Sequence, residues 1–284
     1  MKIGIVGNGF VGSSVAFGFS AQTGCDAEIK IYDKDESKST HSLSETLESD
    51  FIFVSVPTPS NSDGSINLDI VYDCFSEMSM LNKRKDNVIL LRSTVVPGTT
   101  RKLKNKFRNL NIVFNPEFLT ERSAKFDFIN QSRFILGGKQ SDVEKVSKLY
   151  CDRFGNSTPV IKTNYETAEM IKYMNNCYFA TKVSFMNEMY QIADANGVDW
   201  EMAVDGFIRD GRIGHSHLSV PGPDGKLGFG GSCFPKDINA LISVASELGI
   251  NSQLLKSVWK TNLKVRPEKD WETLKGRAIA NDKD

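Results

Sequence analysis

The chain has 284 residues, 40% of them hydrophobic and 25% charged, the make-up of a soluble globular protein with room for one large domain or two ordinary ones. Its 35 Lys and Arg balance 35 Asp and Glu, which argues against a nucleic-acid binder that needs a basic excess to displace counterions. No run approaches the roughly 18 apolar residues that span a bilayer, and the N-terminus enters a strand without a signal-peptide pattern, so a cytoplasmic protein with no membrane partner is expected.

Short β-rich runs alternate with helical stretches through the first half. Residues 2–6, 28–32, 51–56, 88–92, 111–114 and 133–136 read as strands. Residues 10–22, 43–48, 68–79 and 99–107 read as helices between them, and 143–150 follows the last strand. This alternation predicts an α/β fold, a doubly wound Rossmann-type parallel sheet, over residues 1–160. Runs as apolar as Phe-Ile-Phe-Val-Ser-Val fit strands buried on both faces. From 161 to 284 the pattern is helical. The longest segment, 165–196, has Met170, Met174, Cys177, Ala180, Ser184 and Met189 near its apolar stripe and stops at Asn196-Gly197. At about 1.5 Å per residue it exceeds roughly 40 Å, a length that suits a domain connector or a dimer spine. Asp199 caps the next helix, a Gly- and Pro-rich loop covers 211–231, and helices start near Asp237 and Asn251.

Gly7-x-Gly9-x-x-Gly12 follows the first strand and opens the first helix. Such glycines allow a tight turn, close approach of a pyrophosphate and close helix–strand packing, while the helix N-terminus offers unpaired N–H groups. Asp33 ends the next strand, twenty-one residues after Gly12, where an acid takes ribose hydroxyls and favours NAD over NADP. Lys34 beside it weakens that preference.

The five cysteines are widely spaced and include no C-x-x-C pair, against a disulfide framework or a cysteine zinc site. Most read as small buried apolar groups. Cys233 differs: it ends the stretch Gly228-Phe-Gly-Gly-Ser-Cys233, just before a predicted helix and three residues before Lys236. A helix N-terminus and a nearby cation both raise the thiolate fraction of a cysteine. Lys172 and Asn176 lie one turn apart on the long helix and share a face. By themselves they also fit a solvated surface pair, and Asp237 an ordinary N-cap. His215 and His217 form an H-x-H pair, but no third metal ligand is evident and no metal is expected.

These segments, together with Val56-Pro-Thr-Pro59, Arg92-Ser-Thr-Val-Val-Pro-Gly98, Asn115-Pro-Glu-Phe-Leu-Thr-Glu121 and Arg212-Ile-Gly214, resemble the UDP-glucose/GDP-mannose dehydrogenase family across nearly the whole chain. The resemblance implies oxidation of a nucleotide-sugar C6 alcohol to a carboxylate by two hydride transfers to NAD, UDP-glucose being the first substrate to consider. It implies Cys233 as the covalent nucleophile, Lys172 and Asn176 as polarising groups, Asp237 as their helper, Glu117 beside the reacting water and Thr94 positioning that water. It assigns Gly7, Gly9, Phe10, Val11, Gly12, Asp33, Lys34, Thr58, Thr94, Glu121 and Lys236 to the cofactor. It assigns Glu117, Phe118, Leu119, Lys172, Asn176, Arg212 and Gly230 to the substrate, Arg212 in some members reaching across from a neighbouring subunit. A homodimer built on the 165–196 helix is the expected assembly.

The match departs from the family in two places. Only residues 34–50 lie between the second strand and the one before Val56-Pro-Thr-Pro59, without the family's E-P-G-L stretch, and the third α/β domain that helps hold the substrate's nucleotide lies beyond this sequence. Two other readings stay open: a two-electron hydroxyacid-type dehydrogenase of similar architecture, and a non-catalytic module that binds NAD or a nucleotide sugar.

Overall fold

The computed structural model describes residues 1–281. The chain divides into two compact units, one made of Met1–Thr58 and Leu68–Lys172, the other of Pro59–Asn67 and the chain from Tyr173 onward.

The first unit is built on one sheet. Its strands are β1 (Lys2–Val6), β2 (Glu28–Tyr32), β3 (Phe51–Val54), β4 (Val88–Leu91), β5 (Ile112–Phe114), β6 (Phe134–Gly138) and β7 (Val160–Thr163), in spatial order β2-β1-β3-β4-β5-β6-β7. Successive side chains on a strand point to opposite faces. Ile52, Val54, Ile89, Leu91, Ile112 and Phe114 accordingly pack on one side, with Val71 and Phe75 of α3 (Asp69–Leu81) and Leu103 of α4 (Thr99–Lys106). Phe53, Val88, Leu90 and Val113 pack on the other, with Val15 of α1 (Phe10–Gly18) and Val146 and Tyr150 of α6 (Gln140–Phe154). A sheet apolar on both faces must be covered on both, which is the doubly wound arrangement. The short helix α2 (Leu43–Thr46) begins with a Ser42–Glu45 capping box.

The chain leaves β1 to β2 on one side and returns to β3 on the other. That reversal opens a crevice at the carboxyl ends of β1 and β3, the place where open α/β sheets bind ligands.

The sheet differs from the expected one in two respects. Strand β6 runs antiparallel to β5, with Val113 opposite Gly138 and Phe114 opposite Gly137. The β5–β6 connection carries α5 (Ala124–Ile129), whose Phe128 packs on Phe19 and Gly18 at the end of α1, so the chain re-enters the sheet from the opposite end. After residue 160 the pattern is not helical throughout either: β7 pairs parallel with β6. It is a short edge strand with Ile161 exposed, so its apolar signal is weak. With β7 in the sheet, the division between units falls between Lys172 and Tyr173 instead of at 160/161.

The long helix α7 (Tyr165–Ala195) passes through that division. Ala168, Lys172, Tyr173, Asn176, Cys177, Ala180, Ser184 and Asn187 form its buried stripe. Met170 and Met174, expected on that stripe, are exposed, because they fall a quarter-turn away from it.

The second unit adds α8 (Trp200–Ile208), α9 (Phe234–Glu247) and α10 (Gln253–Val265). Asp199 caps α8 by accepting from the Met202 N–H. Met186, Leu218 and Val220 form a small core under Tyr190, Trp200 and Val204. The excursion Pro59–Asn67 is fastened here by Ser60, whose N–H donates to the Ala278 carbonyl (2.9 Å) and whose carbonyl accepts from Ala280 (2.7 Å). No helix among the described residues is long and apolar enough to cross a membrane.

Candidate active site

In the first unit, the turn after β1 is shaped by its glycines. Gly7 has φ +89°, a conformation L side chains rarely adopt. A Cβ on Gly12 would run into the Gly7 carbonyl, so only glycine lets α1 pack this close. Gly9, the N-cap, is the opposite case: a Cβ there would meet nothing of the protein within 4 Å. That open space lies at a helix start with no side-chain cap, so its N–H groups are available to an anion. Phe10 and Val11, half-buried, form the first turn. Asp33, just past β2, accepts from the Asn8 N–H through Oδ2 (2.6 Å) and braces the glycine turn, with exposed Lys34 beside it. The residues fit a dinucleotide: small where a pyrophosphate must approach, amide-rich at the helix start, acidic where ribose hydroxyls would lie.

Thr58 is buried beyond β3 and Thr94 half-buried beyond β4, both at carboxyl ends of strands. The two loops are tied together by the Ser93 hydroxyl, which donates to the Val56 carbonyl (2.7 Å).

Beyond β5 the chain forms the Asn115-Pro-Glu117 turn. Asn115 Oδ1 accepts from Arg92 Nη1 (2.6 Å) and from the Tyr150 hydroxyl (2.5 Å), and its amide donates to the Ile135 carbonyl (3.0 Å). The turn thereby holds Glu117 against Lys172, whose ammonium donates both to Glu117 Oε1 (2.8 Å) and to the Glu117 carbonyl (2.6 Å). Both side chains are almost fully buried. Burial opposes the Glu117 charge, but Lys172, the Leu119 N–H and Arg92 outweigh it and hold the carboxyl below its ordinary range. Phe118 is covered by cations, with Arg133 4.5 Å and Lys172 5.4 Å from its ring centroid. Leu119 is half-buried, and Glu121 is exposed at the start of a 3-10 turn.

In the second unit, Cys233 is the N-cap of α9, which begins at Phe234, three residues earlier than its sequence pattern implies. Pro235 in the first turn explains the early start, since its missing N–H is no loss there. Cys233 is half-buried, with the Ser232 hydroxyl 3.8 Å from its sulfur. Asp237 is therefore not an N-cap; its N–H donates to the Cys233 carbonyl inside the first turn. Its buried carboxylate takes Lys236 Nζ on Oδ1 (2.5 Å) and Asn176 Nδ2 on Oδ2 (2.6 Å). The Lys236 charge, expected to act on the thiol, is thus directed to Asp237.

Two amides missed in the sequence hold the glycine-rich approach to Cys233. Asn187 accepts from the Gly228 N–H (3.0 Å), and buried Asn262 accepts from the Phe229 N–H (2.7 Å) while donating to the Phe229 carbonyl (2.9 Å). Each is polar on an otherwise apolar helical face, which is the signal that could have identified it. Gly230 lies between these anchors and the thiol. Arg212 stands 89% exposed on a turn, paired with Asp210 (2.5 Å). His217 stacks on Phe179 (4.0 Å, 11°), and among the described residues no group of three His, Cys, Asp or Glu side chains could hold a metal.

Comparison with known proteins identifies the family. Residues 37–153 match the NAD binding domain of the UDP-glucose/GDP-mannose dehydrogenase family, and residues 166–264 match the family's central domain. The UDP-glucose 6-dehydrogenase of Haloferax volcanii is 31% identical over 98% of this chain and 73% of its own length. That of Rickettsia prowazekii is 35% identical over 94% of this chain and 68% of its own. Among solved structures, a UDP-glucose dehydrogenase from Pyrobaculum islandicum superimposes with a TM-score of 0.79 at 26% identity, covering 96% of this chain and 70% of that one. With its NAD-binding sheet and its helical unit carrying the cysteine turn, this chain belongs to the UDP-glucose/GDP-mannose dehydrogenase family.

Proposed function

We propose that the protein oxidises the C6 alcohol of a nucleotide sugar, UDP-glucose foremost, to the carboxylate, using Cys233 as a covalent nucleophile. The observation that carries this reading is the α9 start: a cysteine at a helix N-terminus, reached through glycines, with Asp237 of the same turn bound to Asn176. The Gly7–Gly12 turn would hold NAD, two molecules of which, bound in succession, would each supply one hydride acceptor, one for each of the two oxidations. The first gives an aldehyde. The Cys233 sulfur adds to the aldehyde carbon to form a thiohemiacetal, the second oxidation leaves a thioester, and water cleaves it to the carboxylate and restores the thiol.

Lys172 and Asn176, one turn apart on α7, are the donors for the developing oxyanion, and Asp237 orients Asn176. Glu117 and Thr94 serve the attacking water; Thr58, Asp33, Lys34, Glu121 and Lys236 serve the cofactor; Phe118, Leu119, Gly230 and Arg212 serve the substrate. A second copy of the chain is the proposed partner, covering the exposed apolar side chains of α7. The relatives named above, both UDP-glucose 6-dehydrogenases, support the substrate class.

The test is the NADH yield per sugar. Two equivalents from UDP-glucose, GDP-mannose or a UDP-N-acetyl sugar, abolished by Cys233→Ala, are expected. A single equivalent that Cys233→Ala leaves unchanged would instead mark a two-electron alcohol dehydrogenase. NAD binding without turnover of any of these sugars would mark a binding module.

A further inference from the structure

One buried guanidinium organises the chain leading to Cys233. Arg266, at the end of α10, is 2% exposed. Its Nε donates to Asp270 Oδ1 (2.6 Å), its Nη2 to Asp224 Oδ2 (2.6 Å) and its Nη1 to the Leu227 carbonyl (3.2 Å). Asp224 sits in the turn closed by the Gly222 N–H on the Lys226 carbonyl (2.7 Å). Asp270 uses its other oxygen, Oδ2, to accept from the Gly231 N–H (2.9 Å). A single cation therefore fastens both ends of residues 224–231.

The packing at the far end leaves no slack. A Cβ on Gly230 would lie 2.5 Å from both Asp270 Oδ2 and Arg266 Nη2, so the ion pair rests directly on the Gly230 backbone. Asp270 is itself anchored by buried Trp271, whose ring packs tilted at 52° against Trp259 of α10 (5.2 Å between centroids). On its other side Cys233 is held by α9, through the Asp237 N–H on its carbonyl. The thiol thus hangs between a helix start and a peptide clamped two residues earlier. Only the guanidinium is buried; the Asp270 and Asp224 side chains stay about a third exposed, so what the pair contributes here is the direction of its hydrogen bonds more than stability.

We propose that Asp270, oriented by Arg266, is a positioning residue for Cys233: by fixing the Gly230–Gly231 peptide it sets where the sulfur stands relative to the reacting carbon. This rests on the reading of Cys233 as nucleophile. Asp224 holds the opposite end of the loop and leaves Arg266 compensated when Asp270 is changed.

The experiment compares wild type, Asp270→Ala, Asp270→Asn, Arg266→Lys and Cys233→Ser. It measures kcat, KM and the pH dependence of Cys233 carbamidomethylation by iodoacetamide, read by peptide mass spectrometry, with thermal melts alongside. Displacements of an ångström cost roughly 10- to 100-fold in rate. Asp270→Ala is expected to lose kcat on that scale, with the KM for NAD unchanged and the alkylation curve altered. Asp270→Asn, which keeps an acceptor for Gly231, retains most of kcat. A merely structural role would lower the melting temperature and leave folded protein with the wild-type alkylation curve. That outcome, or a wild-type kcat in Asp270→Ala, overturns the proposal. Should Asp270→Ala not fold, Arg266→Lys, whose single ammonium cannot hold Asp270 and Asp224 as the guanidinium does, carries the same comparison: a loss of kcat on that scale with an altered alkylation curve is expected, and wild-type values of both overturn the proposal. If Cys233→Ser still yields two NADH, the nucleophile reading itself fails; if it is inactive while Asp270→Ala matches wild type, only the positioning role fails.

Discussion

The Lys172 ammonium reaches both the carboxylate and the backbone carbonyl of Glu117, at 2.8 and 2.6 Å, in a place where neither side chain meets appreciable solvent. Removing one partner of such a pair strands the other charge, at a cost of about 3–5 kcal/mol. Lys172→Ala is therefore expected to lower unfolding free energy by that amount, and Lys172→Met with Glu117→Leu to recover most of it, measured by urea unfolding. Glu117 is held below its ordinary pKa, so the stability it contributes is fully present above the unfolded value of about 4.5 and is lost as pH falls through the lower folded value. A double variant no more stable than Lys172→Ala would contradict this account.

Glu169 titrates in the opposite sense. It accepts from the Gly98 N–H (2.6 Å), the Thr100 N–H (2.7 Å) and the Thr100 hydroxyl (2.6 Å), closing the start of α4. Burial nevertheless pushes its carboxyl up to about 7. A raised folded pKa favours the native state below the unfolded value near 4.5, and that contribution drains away as pH rises through about 7. Its size is on the order of 3 kcal/mol when fully expressed. The melting temperature of Glu169→Gln is thus expected to be flatter than that of wild type between pH 5 and about 7.5. Parallel curves for the two proteins would show that Glu169 does not titrate in that window.

The glycine turn separates folding from binding. Gly9→Ala places a methyl group where the protein has no atom within 4 Å, so the variant is expected to melt with wild type yet bind NAD at least about 10-fold more weakly, a loss of roughly 1.4 kcal/mol by titration calorimetry. Gly12→Ala drives its methyl into the Gly7 carbonyl and is expected to lose both binding and stability. Undiminished affinity in Gly9→Ala would mean that the phosphates do not pass over that residue.

How much of this was legible in the sequence follows from how local each signal is. The glycine turn, Asp33 and the strands of the first half depend on neighbouring residues and period-two burial, and all were readable. Strand β7 was not, because an exposed edge strand of four residues carries little apolar pattern. Nor was the reversed β6, which depends on Phe128 docking against Phe19, more than a hundred residues away in the chain. At the site, Cys233 was marked by its own loop, whereas Asn187, Asn262 and Asp270 act on that loop from distant helices and turns. Arg92 and Asn115 begin their motifs with no local sign of a role; only the packing of Tyr150 and Ile135 around them shows that they lock the Glu117 turn.

The outer face of α7 gives the last prediction. Met170, Met174, Tyr178, Phe185 and Ile192 are between 37% and 63% exposed and recur at spacings of four and seven, so they form one apolar stripe down a helix of 31 residues. At about 1.5 Å per residue that helix is about 46 Å long. A contiguous apolar strip of this extent is costly to leave in water and marks an interaction surface. A two-fold partner suits it because an isologous contact uses the same stripe twice and closes on itself. Wild type is expected to sediment at twice the 31.6 kDa chain mass. Tyr178→Asp with Phe185→Asp, which buries two charges in any such contact, is expected to sediment at the single-chain mass with its circular dichroism unchanged. Wild type running as a monomer at micromolar concentration would remove the dimer, and with it any role for Arg212 across a subunit boundary.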